Sequence, residues 1–223
     1  MHDGERPASD SRPDLPFDRL AGEYDRWFEN NAVFGVELTC LQGMRQKLLE
    51  PRLEIGVGPG RFAEALGIGF GVDPAFGALR LAAKRGVLVL QAIGEALPFV
   101  SGRFGSVVLL FALCFVDDPV AVLREAYRVL VPAGMLVIGM VPAASPWGEA
   151  ILEKKKAGSP FYSGVNLLEV GQALEFVREA GFAIVEQRCA LLQPPRGFAG
   201  EPDDREGSAA AAGFVVLVGR KQE

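Results

Sequence analysis

Glu54-Ile55-Gly56-Val57-Gly58-Pro59-Gly60-Arg61-Phe62 joins a short apolar run, Leu53 to Val57, to a helical segment, Arg61 to Leu66. A strand passing through close-set glycines into a helix is half of a crossover unit, and such units repeat downstream. Phe70 to Val72 reads as a second strand. Pro74 suits the first turn of the next helix, whose Leu79, Ala82 and Ala83 face a sheet until Gly86 ends it. Val87 to Leu90 and Ser106 to Phe111 read as strands three and four. Asp118 and Pro119 read as a helix cap and first-turn residue ahead of the stripe Val122, Leu123, Ala126, Val129 and Leu130. Met135 to Val141 is the fifth strand. A helix from about Leu167 to Ala180, closed by Gly181, precedes two long strands, Ala183 to Leu192 and Phe214 to Gly219. Their linker carries Pro194, Pro195, Gly197, Gly200, Pro202 and a run of alanines, which predicts a mobile hairpin loop over about 194–212. The predicted fold is α/β: a doubly wound, seven-stranded, mostly parallel sheet with an antiparallel C-terminal hairpin.

Upstream of the glycines, Phe34, Leu38, Leu41, Met44 and Leu48 recur at helical spacing and Pro51 marks the exit. Phe17 to Phe28 is a second, aromatic-rich helical candidate. Residues 1–16, with Pro7, Pro13 and Pro16 among charges, read as a flexible leader, which leaves a single domain over 17–223. The 223 residues are 49% hydrophobic and 23% charged, an ordinary globular balance. The only histidine is His2, in the leader, so Ser-His-Asp or Cys-His hydrolysis and multi-histidine zinc sites are close to excluded. With 23 basic against 28 acidic residues and no basic stripe, the chain lacks the charge pattern of a nucleic-acid binder. Cys40, Cys114 and Cys189 are too far apart for a disulfide framework or CxxC site, and fit a reducing cytoplasm. No signal peptide is read at the N-terminus. The longest apolar run, Val107 to Val116, falls well short of the ~20 residues that cross a bilayer.

A ligand of such a sheet sits beyond the carboxyl ends of the early strands, where the glycine turn lies. Glycines let a ligand approach the main chain, and the helix N-terminus behind them favours an anionic group. Asp73 ends strand two, 17 positions after Gly56, placed to accept both hydroxyls of a ribose. These features imply a nucleoside-containing ligand. The dinucleotide fingerprint GxGxxG is not met, because Arg61 stands in the third-glycine place and the third glycine falls one position earlier, at Gly60.

The Glu54-x-Gly-x-Gly-x-Gly form resembles motif one of the class I S-adenosylmethionine-dependent methyltransferases. Gly94-Glu95-Ala96-Leu97-Pro98-Phe99, followed by Gly102-Arg103-Phe104, is similar to the loop that closes over adenine after strand three. Leu113 to Pro119 and Leu123 to Gly134 resemble the post-strand-four helix and its Pro-x-Gly turn. Tyr24-Asp25-Arg26-Trp27-Phe28 is similar to small bacterial members of the ubiquinone-biosynthesis-like, methyltransferase type 11 branch, and the resemblance spans roughly Phe17 to Lys221.

This resemblance implies a Rossmann-like methyltransferase fold with an N-terminal helical lid over about 17–50, S-adenosylmethionine as cofactor and a small-molecule methyl acceptor. The acidic balance leads to the expectation of no nucleic-acid partner, the short apolar runs to no membrane partner, and the lone histidine to no metal. Gly56, Gly58 and Gly60 would bring the backbone against the methionine part, and Glu54 would reach its ammonium. Asp73 would hold the ribose, Pro74 or Ala75 would pack on adenine, and the main chain at Gly94 and Glu95 would read its edge. Phe111 and Ala112 would floor the pocket near the sulfonium, and Tyr24 would cap the methionine carboxylate. Ile93 stands where many relatives carry a polar residue for the adenine amino group. Trp27, Cys114, Trp147 and Tyr162 are candidates for the acceptor pocket, each with a plain packing role as the competing reading; Lys154-Lys155-Lys156 reads as a solvated helix face.

No catalytic residue is assigned. Without a histidine base, the expected reaction is in-line displacement driven by positioning, toward a neutral amine, a thiolate or a stabilised carbanion rather than an unactivated hydroxyl. A nicotinamide-dependent oxidoreductase is the same-fold alternative, opposed by Arg61 and by the lack of a Tyr-x-x-x-Lys pair. A non-catalytic cofactor-binding protein is the other.

Overall fold

The computed structural model describes residues 16–207 and 211–222; the expected leader, apart from Pro16, lies outside the described residues. The helix expected over Phe17 to Phe28 is two short ones, α1 (Pro16–Arg19) and α2 (Ala21–Arg26), because Leu20 leaves helical geometry at φ −104° and ψ 22°. Next, α3 (Ala32–Arg45) starts at Asn31, whose side-chain oxygen accepts the N–H groups of Val33 and Phe34 at 2.9 and 3.4 Å. Two donors that the helix cannot satisfy itself are thereby paired.

The crossover units follow as β1 (Arg52–Ile55), α4 (Arg61–Leu66), β2 (Phe70–Asp73), α5 (Phe76–Lys84), β3 (Leu88–Gln91), β4 (Phe104–Leu110), α6 (Pro119–Val129) and β5 (Leu130–Met140). They are followed by α7 (Pro146–Lys156), α8 (Val170–Glu179), β6 (Phe182–Ala190), β7 (Arg205–Glu206) and β8 (Phe214–Lys221). The sheet order is β3-β2-β1-β4-β5-β8-β6-β7, parallel as far as β5 and antiparallel beyond it. It has eight strands rather than the seven expected. The extra one, β7, is an exposed two-residue pairing with Arg188 and Cys189 inside the glycine- and proline-rich linker, too short to leave an alternating pattern.

Central strand β4 is buried along its whole length. Val107 and Leu109 point into a core shared with Ala126 and Val129 of α6 and Ala173 and Val177 of α8. Val108 and Leu110 point the other way, toward Met44 of α3, Leu66 of α4 and Ala82 of α5. A strand covered on both faces needs apolar residues at every position, which is why its sequence is continuous rather than alternating. Strand β5 begins five residues earlier than expected: Leu130 already pairs with Phe104, and the Pro-x-Gly excursion, with Ala133 at φ 60°, is absorbed as a register shift before Met135 meets Ser106.

The 194–212 linker makes several contacts on the body. The Asp203 carboxylate accepts the N–H groups of Leu191 and Leu192 at 2.8 and 2.6 Å, and Phe198 lies edge-on to Trp147 with centroids 5.4 Å apart. No helix among the described residues is long and apolar enough to cross a membrane.

Candidate active site

The carboxyl ends of the parallel strands open onto two adjoining cavities. The larger, about 1400 Å³, is lined by Gly56, Gly58, Asp73, Pro74, Gly94, Glu95 and Ala112 among others. Gly56 has φ +74°, and a Cβ there would stand 2.5 Å from the Ala112 Cβ, so the turn after β1 passes too close to the end of β4 for any side chain. At Gly58 a Cβ would face the Tyr24 ring at 3.7 Å, on the open side of the loop. Gly60 is different: it packs on Ala82 of α5, where a Cβ would meet backbone at 2.9 Å, and it does not line the cleft.

Asp73 is 9% exposed and already holds the loops around it. Its Oδ2 accepts the Gly58 N–H at 2.9 Å and its Oδ1 the Ala75 N–H at 2.8 Å. Each oxygen keeps a further lone pair for a ligand. Burial raises its pKa, against the lowering effect of those two backbone bonds. Glu54 stands beneath the loop, 1% exposed, with Oε2 unpartnered; burial first, and the Asp73 charge second, push its pKa well above the carboxylate range. Gln91 Nε2 donates to the Pro74 carbonyl at 2.8 Å, tying β3 to the turn after β2. Glu95 Oε1 accepts the Asp117 N–H at 3.2 Å. Ile93, half exposed, lines the cleft where a polar side chain would suit adenine.

The second cavity, about 620 Å³, lies under α2, α3 and α7. Trp27, Cys114, Trp147 and Tyr162 all line it, so the four acceptor-pocket candidates are brought together. Phe17, Tyr24, Phe111, Phe115 and Phe161 line both cavities and form the wall between them. Phe111 is held at φ 57°, a strained conformation for an aromatic residue, at the point where β4 ends on the shared wall. Burial pushes the Cys114 thiol up to about 12, and it donates to the Phe111 carbonyl at 3.3 Å, so it stays a thiol rather than a thiolate.

Two residues to which the sequence motifs assign no role are prominent here. Asp25 takes a bidentate pair from Arg61 at 2.7 and 2.8 Å and a third bond from Arg85 at 3.0 Å. Burial would raise the Asp25 pKa, yet the two guanidinium groups hold it below the usual value. Arg61, notable in the sequence only for not being a glycine, thus fastens α2 beside the glycine loop. The other is Glu37 of α3, a carboxylate 8% exposed in the wall of the smaller cavity.

The sequence and the fold have relatives. Residues 53–138 match the family model of a methyltransferase domain. An uncharacterised protein of Mycobacterium tuberculosis is 41% identical over 204 residues, covering 89% of this chain and 71% of the relative. One from Methanocaldococcus jannaschii is 36% identical over 178 residues, 79% of this chain and 85% of its own. The crystal structure of an S-adenosylmethionine-dependent methyltransferase from Thermotoga maritima, described as a possible histamine N-methyltransferase, superposes with a TM-score of 0.81 at 35% identity, over 92% of this chain and 98% of that one. The chain belongs to the class I S-adenosylmethionine-dependent methyltransferases.

As a member of that family the methyltransferase uses S-adenosylmethionine as its cofactor. Its larger cavity fits that group on its own chemistry. Asp73 has spare acceptor capacity at the end of β2 and Gly58 leaves room for a ligand against the main chain, both in the cavity's lining; Glu54, whose buried and orphaned Oε2 calls for a cationic or hydrogen-donating partner, lies beneath the loop and does not itself line the cavity.

Proposed function

We propose that the protein transfers a methyl group from S-adenosylmethionine to a small-molecule acceptor held in the 620 Å³ cavity. The observation that carries this reading is the wall shared by the two cavities, in which Tyr24 and Phe111 face both sides. A donor in one cavity and an acceptor in the other meet at that wall. When bound, the cofactor supplies a methyl group already activated by its sulfonium.

Asp73 holds the ribose through the lone pairs its loop bonds leave free, and Glu54 holds the ammonium directly or through water. Gly56 and Gly58 admit the methionine part, Pro74 packs on adenine, and main-chain groups at Gly94 and Glu95 read its edge. Gly60 serves indirectly, by seating the loop on α5. Tyr24 caps the methionine carboxylate. Residues 17–50 act as a lid: α1 to α3 bring Phe17, Trp27 and Phe34 over the strand ends and exclude water from the shared wall. Positioning of this kind supplies up to ~7–11 kcal/mol of a barrier in favourable cases. The three free cysteines fit a cytoplasmic enzyme.

Calorimetric titration with S-adenosylmethionine, S-adenosylhomocysteine and NAD tests the reading. The first two should bind and NAD should not; tight NAD binding without either of the others would overturn it. Asp73→Ala should weaken S-adenosylmethionine binding tenfold or more, and an unchanged affinity would remove the ribose assignment.

A further inference from the structure

The acceptor cavity is walled by aromatic and aliphatic side chains, and Glu37 is the one carboxylate that lines it. It sits mid-way along α3 and is more than nine-tenths buried. Among the described residues no group donates a hydrogen bond to it and no Lys or Arg pairs with it. The other titratable groups of the cavity are Tyr24 from α2, Cys114 after β4, Lys154 from α7 and Tyr162 from the turn Pro160–Tyr162. The Glu37 charge is felt by both tyrosines, where it raises their pKa values further. Lys154 lies at the exposed rim, 5.7 Å from the Tyr162 ring centroid, and is not paired with Glu37.

A buried carboxyl without a partner is costly, and it persists where a ligand completes it. With the cavity empty the Glu37 carboxyl is mostly protonated at neutral pH, and neither an anionic acceptor nor a neutral alcohol gives its ionised form a charge partner; only a cation does. An ammonium satisfies the carboxylate and gains from the faces of Trp27, Phe28, Phe34 and Tyr162 around the cavity.

We propose that the methyl acceptor is a small amine with an apolar body, bound through its nitrogen by Glu37, which takes the proton that must leave before the nitrogen can react. This rests on the reading of the cavity as the acceptor site. The ammonium gives one proton to the Glu37 carboxylate; the freed lone pair forms the N–C bond to the methyl group while the C–S bond breaks and its electrons pass to sulfur. The methylated amine leaves as a cation, the cofactor becomes a neutral thioether, and Glu37 returns its proton to solvent. Burial pushes the Glu37 carboxyl up to about 8, which makes it a much better proton acceptor than an exposed carboxylate toward a primary ammonium, whose ordinary pKa is about 10.

The test uses the full chain saturated with S-adenosylhomocysteine, titrated with phenethylamine and benzylamine and with 2-phenylethanol and 3-phenylpropionate as neutral and anionic controls. Amines should bind at least tenfold more tightly than either control. At pH 7 binding should release about one proton per site, read from the heat in buffers of different ionisation enthalpy. Glu37→Gln should lose the proton release and at least tenfold of the amine affinity, while its S-adenosylhomocysteine affinity, which reports an intact fold, stays within about twofold. With S-adenosylmethionine, the wild type should methylate the amines. Equal binding of amines and controls, or amine binding unaltered in Glu37→Gln, overturns the proposal, as does failure of every amine to bind. If S-adenosylhomocysteine itself fails to bind, the underlying functional reading has failed instead.

Discussion

Glu37 follows Phe34 by three positions and precedes Leu41 by four, so it stands on the stripe that Phe34, Leu41 and Met44 mark as the buried face of α3. That signal was present in the sequence but is a charge on an apolar face, and a search for apolar repeats steps over it; Glu54 and Asp73 are legible because they belong to an ordered motif. The linkage has a definite sign. A carboxyl raised from 4.5 to about 8 favours the protonated folded state, so its ionisation opposes folding progressively from near pH 4.5 upward, and fully above about 8. The cost approaches several kcal/mol at most. Glu37→Gln should therefore melt above the wild type at pH 8.5, with the gap closing toward pH 5; a gap independent of pH would contradict the assignment. Glu54 and Asp73, raised as well, are common to both proteins and cancel in the comparison. At Gly56 the strain is steric instead: Gly56→Ala adds a left-handed non-glycine residue and a 2.5 Å clash with Ala112, and should cost about 2–4 kcal/mol by urea unfolding and weaken cofactor binding.

At the scale of elements, α4 and the capped start of α6 lie where the sequence puts them, because both have explicit local signals: glycines before α4, and Asp118, which accepts the Ala121 N–H at 3.0 Å, before Pro119. Helix α7 carries a comparable signal, Ser145 accepting the Gly148 N–H at 3.0 Å ahead of Pro146, yet its apolar stripe, Trp147, Ala150 and Ile151, is only about one turn long before Glu153 and three lysines follow. The break between α1 and α2 has no local signal in the sequence, and the pairing of β7 is a tertiary contact that leaves no local pattern either. The attachment of α2 is of that kind. With Asp25, Arg61 and Arg85 side chains only 14%, 21% and 16% exposed, the cluster is worth more than a surface ion pair. Asp25→Ala should lower the free energy of opening α1 and α2 by about 2–3 kcal/mol and speed their hydrogen exchange accordingly, while β4, which opens only with the whole molecule, should speed by no more than that amount. Because the folded pKa of Asp25 is depressed, its contribution is present above the unfolded value of 3.8 and is lost as pH falls through the lowered one. The exchange difference between variant and wild type should shrink accordingly in strong acid.

Across the whole molecule, the two cavities share one aromatic wall, so filling one must be felt in the other. Tyr24 links them: it faces Gly58 on the cofactor side, and its ring lies 5.4 Å from Trp27 and 5.3 Å from Phe28 on the other. The chain has two tryptophans, Trp27 and Trp147, and both line the smaller cavity. Only Trp27 touches Tyr24; Trp147 is anchored at the far side, donating from Nε1 to the Gln193 carbonyl at 2.8 Å. Tryptophan emission therefore separates the two binding events. S-adenosylhomocysteine alone should change the emission of Trp147→Phe, in which Trp27 remains, and leave that of Trp27→Phe nearly unchanged. A bound acceptor should change both single variants, since both indoles face it. Because both ligands would pack on this shared wall, acceptor affinity should also rise in the cofactor's presence, and by linkage the cofactor should bind more tightly by the same factor when the acceptor is added first. Equal cofactor responses from the two tryptophans, or acceptor binding indifferent to the cofactor, would mean that the wall does not couple the cavities and that the methyl group is delivered by another route.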